Sequence, residues 1–252
     1  MIVVGTAGWT IPRTSSRRFT VSGTQLHRYA QELRGVEINS SFHRHHAFET
    51  YKRWAQQTPR AFSFAVKLPR SITHEDRLRA ARRPLEEFLA SLLGLGRRLG
   101  PLLVQLPPSL AFDARVARTF FALLRALHAG PVVCEPRHLS WFEPGVDQVL
   151  VRHRIGRVAA DPAVSATAAI PGGWPGIAYY RLHGSPHKYW SIYEPERLQR
   201  WAQALAGSPR GTLTWCVFDN TAAGGALGNA LETLKLLRHG RRVRVSRTGP
   251  KG

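Results

Sequence analysis

Val132-Val133-Cys134-Glu135-Pro136-Arg137-His138-Leu139-Ser140-Trp141 is the stretch whose reading decides the fold. A short apolar run, the signature of a buried strand, gives way abruptly to Glu135, Arg137 and His138. Charged groups at the end of a buried strand are costly to desolvate and are kept there only with partners. The same pattern recurs around the chain. Apolar runs end in Gly8-Trp9, Glu37-Asn39, Lys67, Gln105, Asp161, Arg181-His183 and Asp219-Asn220.

Between these runs lie helical segments. Thr24 reads as the N-cap of a helix over 25–34, with Leu26, Tyr29, Ala30 and Leu33 on one face. Further helices are expected over 48–56, from Pro84 to Leu93, over 114–128 behind an Asp113 cap, near 146–153, over 194–206 and over 224–238. The stretch from Pro162 to Gly176 is rich in Ala, Pro and Gly, so the sixth helix should be short or irregular. Eight strands alternating with helices in 252 residues predict a single-domain α/β fold, a TIM-like (β/α)8 barrel over 1–238. A basic tail, 239–252, is expected to be disordered.

Composition bounds the function. The formal charge is +20, and five of the 36 basic residues are lysines, leaving 31 arginines. Such a surplus fits a nucleic-acid partner, and it also fits coding bias toward arginine. Cys134 and Cys216 both fall inside apolar runs and read as buried free thiols. No signal-peptide pattern and no long apolar span is present, so the expectation is a cytoplasmic protein with no membrane partner.

Active sites of such barrels sit at the C-terminal ends of the strands, which makes the polar strand ends one candidate mouth. Glu135, Asp161, His183 and Glu37 are the candidate acids and bases. Lys67, Arg137 and Arg181 would hold an anionic or many-oxygen group. Trp9, Asn39, His74, Gln105, His138, Trp141, Tyr189, Asp219, Asn220, Gly225 and Asn229 complete the expected substrate-binding set, with Gly225 offering backbone amides at a helix start. No cofactor is expected. A divalent metal could be held only through Glu135, Asp161 and His183, whose spacing matches no metal motif. The histidines of Phe42-His43-Arg44-His45-His46 read as exposed loop residues.

Several motifs are similar to those of the YecE-like family, domain of unknown function 72. They are Gly5-Thr6-Ala7-Gly8-Trp9, Val36 to Phe42, Phe64 to Lys67 with Ile72-Thr73-His74, and Leu99 to Leu103 with Gln105 to Pro108. Glu135-Pro136-Arg137-His138 with Ser140-Trp141, Arg181-Leu182-His183-Gly184, and Phe218-Asp219-Asn220 with Asn229-Ala230 continue the match to about Leu237. The resemblance implies a TIM-barrel-like fold, similar in outline to sugar isomerases and abasic-site endonucleases, without supplying a reaction. The chain departs from the family pattern in its basic loop after Trp9 and in His43.

The leading expectation is an enzyme (hydrolase, lyase or isomerase) doing acid–base chemistry on a phosphorylated, sugar-like or nucleotide-like substrate. Two other readings stay open: a nucleic-acid-binding, DNA-processing protein, and a non-catalytic module for a small anionic or sugar-like ligand. Sequence does not set the oligomeric state.

Overall fold

The computed structural model describes residues 1–20 and 22–247. Its strands are β1 (Ile2–Thr6), β2 (Gly35–Ile38), β3 (Ser63–Lys67), β4 (Leu99–Gln105), β5 (Val132–Glu135), β6 (Ile155–Arg157), β7 (Ala159–Asp161), β8 (Gly172–Gly173), β9 (Ile177–Leu182) and β10 (Leu213–Phe218). The helices are α1 (Gln25–Glu32), α2 (Phe48–Gln56), α3 (Arg82–Leu92), α4 (Ala114–Leu127), α5 (Val146–Arg152), α6 (Pro195–Ala206) and α7 (Gly225–Arg247).

The barrel strands are parallel and fall into two hydrogen-bonded arcs, β1-β10-β9-β7 and β2-β3-β4-β5-β6. The arcs meet twice. At one seam Ala7 bridges Glu37, and the Gly8 N–H donates to the Glu37 carbonyl at 2.9 Å. At the other, the sixth stave is split. β6 pairs with β5, the chain passes through Val158, and β7 pairs with β9. A single strand over 157–161 was expected; a tilted stave instead changes neighbours halfway along its length, as barrel closure requires. The result is a TIM-like barrel in one domain.

Alternation along the strands sorts the core. Inward-facing Val3, Ala65, Leu103, Val133, Val158, Tyr179, Trp215 and Val217 fill the barrel. Outward-facing Val4, Val36, Val66, Val104 and Cys216 pack against the helices. Gly35 and Gly100 make room for the Trp215 ring, which would lie 3.0–3.1 Å from a Cβ at either position. Trp215 in turn stacks on Tyr179, ring centroids 6.0 Å apart and planes 8° from parallel, so the barrel floor is aromatic.

Thr24 and Asp113 cap α1 and α4 as expected, each side chain accepting from backbone N–H groups one turn in. α3 begins at Arg82, placing Pro84 third rather than first. The sixth crossover holds a 3₁₀ turn at Thr167–Ala169 and β8, which runs antiparallel to β6. Arg157 stitches it down, donating to Asp147 at 2.8 and 3.2 Å and to the Thr167 carbonyl at 2.7 Å. α7 runs to Arg247, nine residues past the end expected from sequence. Gly240 lowers helix propensity by about 1 kcal/mol without breaking the run. The remainder of the expected tail, 248–252, lies outside the described residues. Cys134 and Cys216 are buried thiols, and burial raises both above the usual thiol range. Among the described residues no helix is long and apolar enough to cross a membrane.

Candidate active site

Arg181 is the centre of the mouth. It follows Tyr179 on the inner face of β9 and is 1% exposed. Its guanidinium spends four hydrogen bonds on three carboxylates from three other staves. Nε and Nη2 reach Glu37 at 3.1 and 2.7 Å, Nη1 reaches Glu135 at 2.6 Å, and Nη2 also reaches Asp219 at 2.8 Å. The planar fork suits this task, and the bidentate grip on Glu37 fixes its orientation. The Tyr179 hydroxyl donates to Glu37 at 2.7 Å, completing a fully buried carboxylate's shell.

Burial opposes the Arg181 charge, yet Glu37, Glu135 and Asp219 outweigh it and hold the guanidinium well above its ordinary value. Burial likewise pushes Glu135 and Asp219 up. The opposing pull of Arg181 dominates, joined by Arg137 and His183 at Glu135 and by His183 at Asp219, and both carboxyls end below their usual range.

His183, two residues beyond Arg181 on the same face, is suspended between two of these acids. Its Nδ1 lies 2.9 Å from Asp219 Oδ2 and its Nε2 lies 3.1 Å from Glu135 Oε1. Ionised carboxylates only accept, so both contacts are hydrogen bonds when the ring carries both protons. Each ring nitrogen of His183 therefore faces a carboxylate oxygen across which a proton can move.

Around this cluster stand further cations. Arg137 donates to Glu135 at 3.1 and 3.2 Å. Burial lowers its affinity for its proton, but Glu135 and the neighbouring Tyr189 raise it further. Lys67, on the inner face of β3 after Ala65, sits 3.7 Å over the Phe42 ring. The Ser41 hydroxyl ties down its backbone carbonyl at 2.7 Å. Burial brings Lys67 down to about 8, with Arg181 adding to the effect against Glu135 and Glu37. A single π-helical turn, Ser71–Glu75, presents His74 beside Phe42 and on the Thr73 hydroxyl at 2.9 Å. Burial, then Lys67 and Arg137, lower His74 to about 4, so it is neutral at pH 7.

Other expected site residues take supporting positions. The Asp161 carboxylate accepts from Tyr193 Oη and Arg197 Nη2, both at 2.6 Å. It does not join Glu135 and His183, so the three-residue metal set read from sequence is not assembled. Among the described residues no other group of three such side chains is arranged for a metal. His138 accepts from the Ser140 N–H at 3.2 Å and caps a 3₁₀ turn. Trp141 is buried and donates to the Leu110 carbonyl at 2.9 Å. Trp9 packs edge-on against Trp54 at 5.0 Å. His46 belongs to that aromatic group and to Ser40 at 2.8 Å, and is buried rather than exposed. Asn39 leaves a buried Oδ1 without a partner among the described residues, and Gln105 is buried at its strand end.

Asn220 and Asn229 form a clamp. Asn229 accepts from Asn220 Nδ2 at 2.9 Å and from the Tyr193 N–H at 3.1 Å, and it donates to the Tyr193 carbonyl at 3.1 Å. Gly225, expected to offer amides to phosphate, is covered instead: a Cβ there would lie 2.7 Å from Ile192. The loop so clamped, 184–193, crosses the mouth. Tyr189 sits edge-on to His183 at 5.6 Å, and its N–H donates to the His183 carbonyl. Lys188 was not found from sequence, since a loop lysine carries no periodicity. Its amine lies 5.2 Å from the Tyr189 ring centroid; burial and then Arg137 lower its affinity for a proton, with Glu135, Arg181 and Asp219 also in range.

A TIM-like barrel whose C-terminal mouth holds a shared arginine, three carboxylates and a histidine is the class that fold and site define. The model of the family described as "Protein of unknown function DUF72" matches residues 3–251, and the chain belongs to that family. Among curated relatives, UPF0759 protein YecE of Escherichia coli K12 is 32% identical over 149 residues, 59% of this chain and 53% of its own. The chain thus spans about half the length of that relative. UPF0759 protein YunF of Bacillus subtilis is 23% identical over 94% of this chain and 95% of its own. Among solved structures, a DUF72 family protein of Thermotoga maritima superposes with a TM-score of 0.78 at 24% identity, covering 94% of this chain and 99% of its own. More distant fold likenesses include D-psicose 3-epimerase from Clostridium cellulolyticum, with a TM-score of 0.54 at 11% identity over 94% of this chain and 98% of its own. The 3-keto-D-glucoside 4-epimerase YcjR of Escherichia coli follows, with a TM-score of 0.52 at 12% identity over 95% of this chain and 100% of its own.

Proposed function

We propose that the protein is an enzyme of acid–base chemistry acting on a small sugar-like or phosphorylated substrate at the barrel mouth. The observation that carries this reading is the His183 ring held between Glu135 and Asp219. A proton leaving that ring costs one charge-assisted hydrogen bond, and one regained restores it, which poises the group to give and take. Arg137 and Lys188 supply positive charge for a phosphate or for several hydroxyls. The names of the two epimerase neighbours fit proton transfer next to a carbonyl, though their likeness is one of fold alone.

The test is hydrogen exchange. D-fructose, D-tagatose and their phosphates are incubated with the protein in deuterated water, and loss of the C–H signal next to the carbonyl is followed by NMR. Wild type should exchange at least one of them. Glu135→Gln and His183→Gln should each slow that exchange by about 10² or more while remaining folded. Absence of exchange by wild type, or exchange unchanged in both variants, would overturn the assignment.

A further inference from the structure

Lys67 is set apart from the arginines of the mouth by what does not touch it. Arg181 and Arg137 are paired with carboxylates within 3.2 Å. Among the described residues no carboxylate oxygen comes within 4.0 Å of the Lys67 amine, and no hydrogen bond ends on it. A buried ammonium without a partner is expensive. The residue as a whole is 8% exposed, its amine keeps some access to the mouth, and the Phe42 ring lies 3.7 Å from it. The strand places it inward: Ala65, two residues earlier, is part of the barrel's interior packing. The charged and titratable groups that act on it belong to the mouth: Arg181 from β9, Glu135 and Arg137 from the end of β5, Glu37 from β2 and His74 from the loop after β3.

We propose that Lys67 is a nucleophile, its Nζ forming an imine with the carbonyl carbon of the substrate; this rests on the reading of the mouth as a proton-transfer site. The neutral amine adds to the carbonyl carbon, making the C–N bond as the C=O π pair moves to oxygen, and that oxygen takes up the proton the nitrogen gives up. The resulting carbinolamine hydroxyl collects a second proton, from the His183 ring in the form that carries both protons, and leaves as water while the nitrogen lone pair closes the C=N bond. One positive charge passes from the ring to the iminium, and no oxidant or reductant is consumed. The iminium then draws electrons from the neighbouring C–H bond, the bond that the exchange reaction breaks. The substrate class is therefore an aldehyde or ketone, with hydroxyls or a phosphate for Arg137 and Lys188 to hold. With a value of about 8, roughly a tenth of Lys67 is neutral amine at pH 7, against roughly four parts in ten thousand for an ordinary lysine.

The chain suits a direct test, because it has only five lysines, 52, 67, 188, 235 and 251. The full-length protein is incubated with dihydroxyacetone phosphate at pH 7, reduced with sodium borohydride, and mapped by peptide mass spectrometry. Reduction of the iminium leaves a stable secondary amine and blocks tryptic cleavage after that lysine. The expected result is labelling at Lys67 at least about tenfold above each other lysine. Folded Lys67→Arg should lose that label, with the background at the other lysines unchanged. Even labelling of all lysines, label concentrated at Lys188, or no label at Lys67 would overturn the proposal. The two readings fail separately. Label at Lys67 without hydrogen exchange keeps the imine and removes the acid–base assignment, and exchange without label does the reverse.

Discussion

Asp219 shows how single residues in this mouth trade stability for chemistry. It is one of three acids on Arg181 and one of two on His183. Because the folded protein holds its carboxyl below the ordinary aspartate value of about 3.9, it stabilises the fold at and above that pH. The contribution is lost as pH falls through the folded value, and Glu135 behaves alike from about 4.3 downward. Asp219→Asn should therefore cost about 1–3 kcal/mol at pH 7 in urea unfolding, since Arg181 keeps two other acids. It should also flatten the loss of stability below pH 4. An acid limb identical to wild type would show that Asp219 is not ionised in the fold. Sequence made Asp219, Arg181 and His183 visible as polar residues at apolar strand ends. It could not show that Arg181 is the shared partner, because that depends on three staves closing around it.

Elements explain which expected residues became supports. Asp161, Asn220, Asn229 and Gly225 all sit at strand ends or helix starts facing the mouth, the same signal that marked Glu135. What separates them is the loop 184–193, whose path no periodicity predicts. It turns at Gly184 (φ 90°) and Tyr189 (φ 70°), the latter a non-glycine in the left-handed region, which costs on the order of 1–2 kcal/mol. That cost is offset by the Asn229 clamp on Tyr193 and by Tyr193 Oη, which accepts from the Gly184 N–H at 2.9 Å. Asn229→Ala would leave the Tyr193 backbone and Asn220 short of partners, so a loss of about 2–4 kcal/mol is expected. The same variant should be cut by trypsin after Lys188 faster than wild type, because the loop loses its anchor to α7. Unchanged cleavage would mean that the contacts of Tyr189 with the strand ends hold the loop by themselves. The split sixth stave was hidden for a similar reason: alternation marks a strand but not the neighbour it pairs with.

For the whole molecule, part of the +20 charge acquires a structural explanation beside the nucleic-acid one. Among the described residues, three arginines bind backbone carbonyls rather than acids. Arg98 donates to the Pro59 and Thr58 carbonyls at 3.1 and 2.9 Å, and Arg77 to the Ser109 carbonyl at 2.8 Å. Arg125 is the fullest case: Nε reaches His153 at 2.9 Å, and Nη1 reaches His128 at 3.1 Å and Gly130 at 2.7 Å. It thereby joins the end of α4 to the turn after α5. A carbonyl carries no net charge, so each such staple adds one uncompensated positive charge. A protein built this way becomes basic without any acidic partner. The two explanations part at Arg125→Lys, which keeps the charge but replaces a planar five-donor fork with a single ammonium that cannot span these carbonyls. If arginine is there to staple, the variant should lose about 1–3 kcal/mol in urea unfolding, while its elution from a cation exchanger and the salt dependence of its binding to a single-stranded oligonucleotide stay those of wild type. An unchanged unfolding midpoint would mean that water satisfies those carbonyls equally well, and the arginine surplus would then have to be explained by the field it creates.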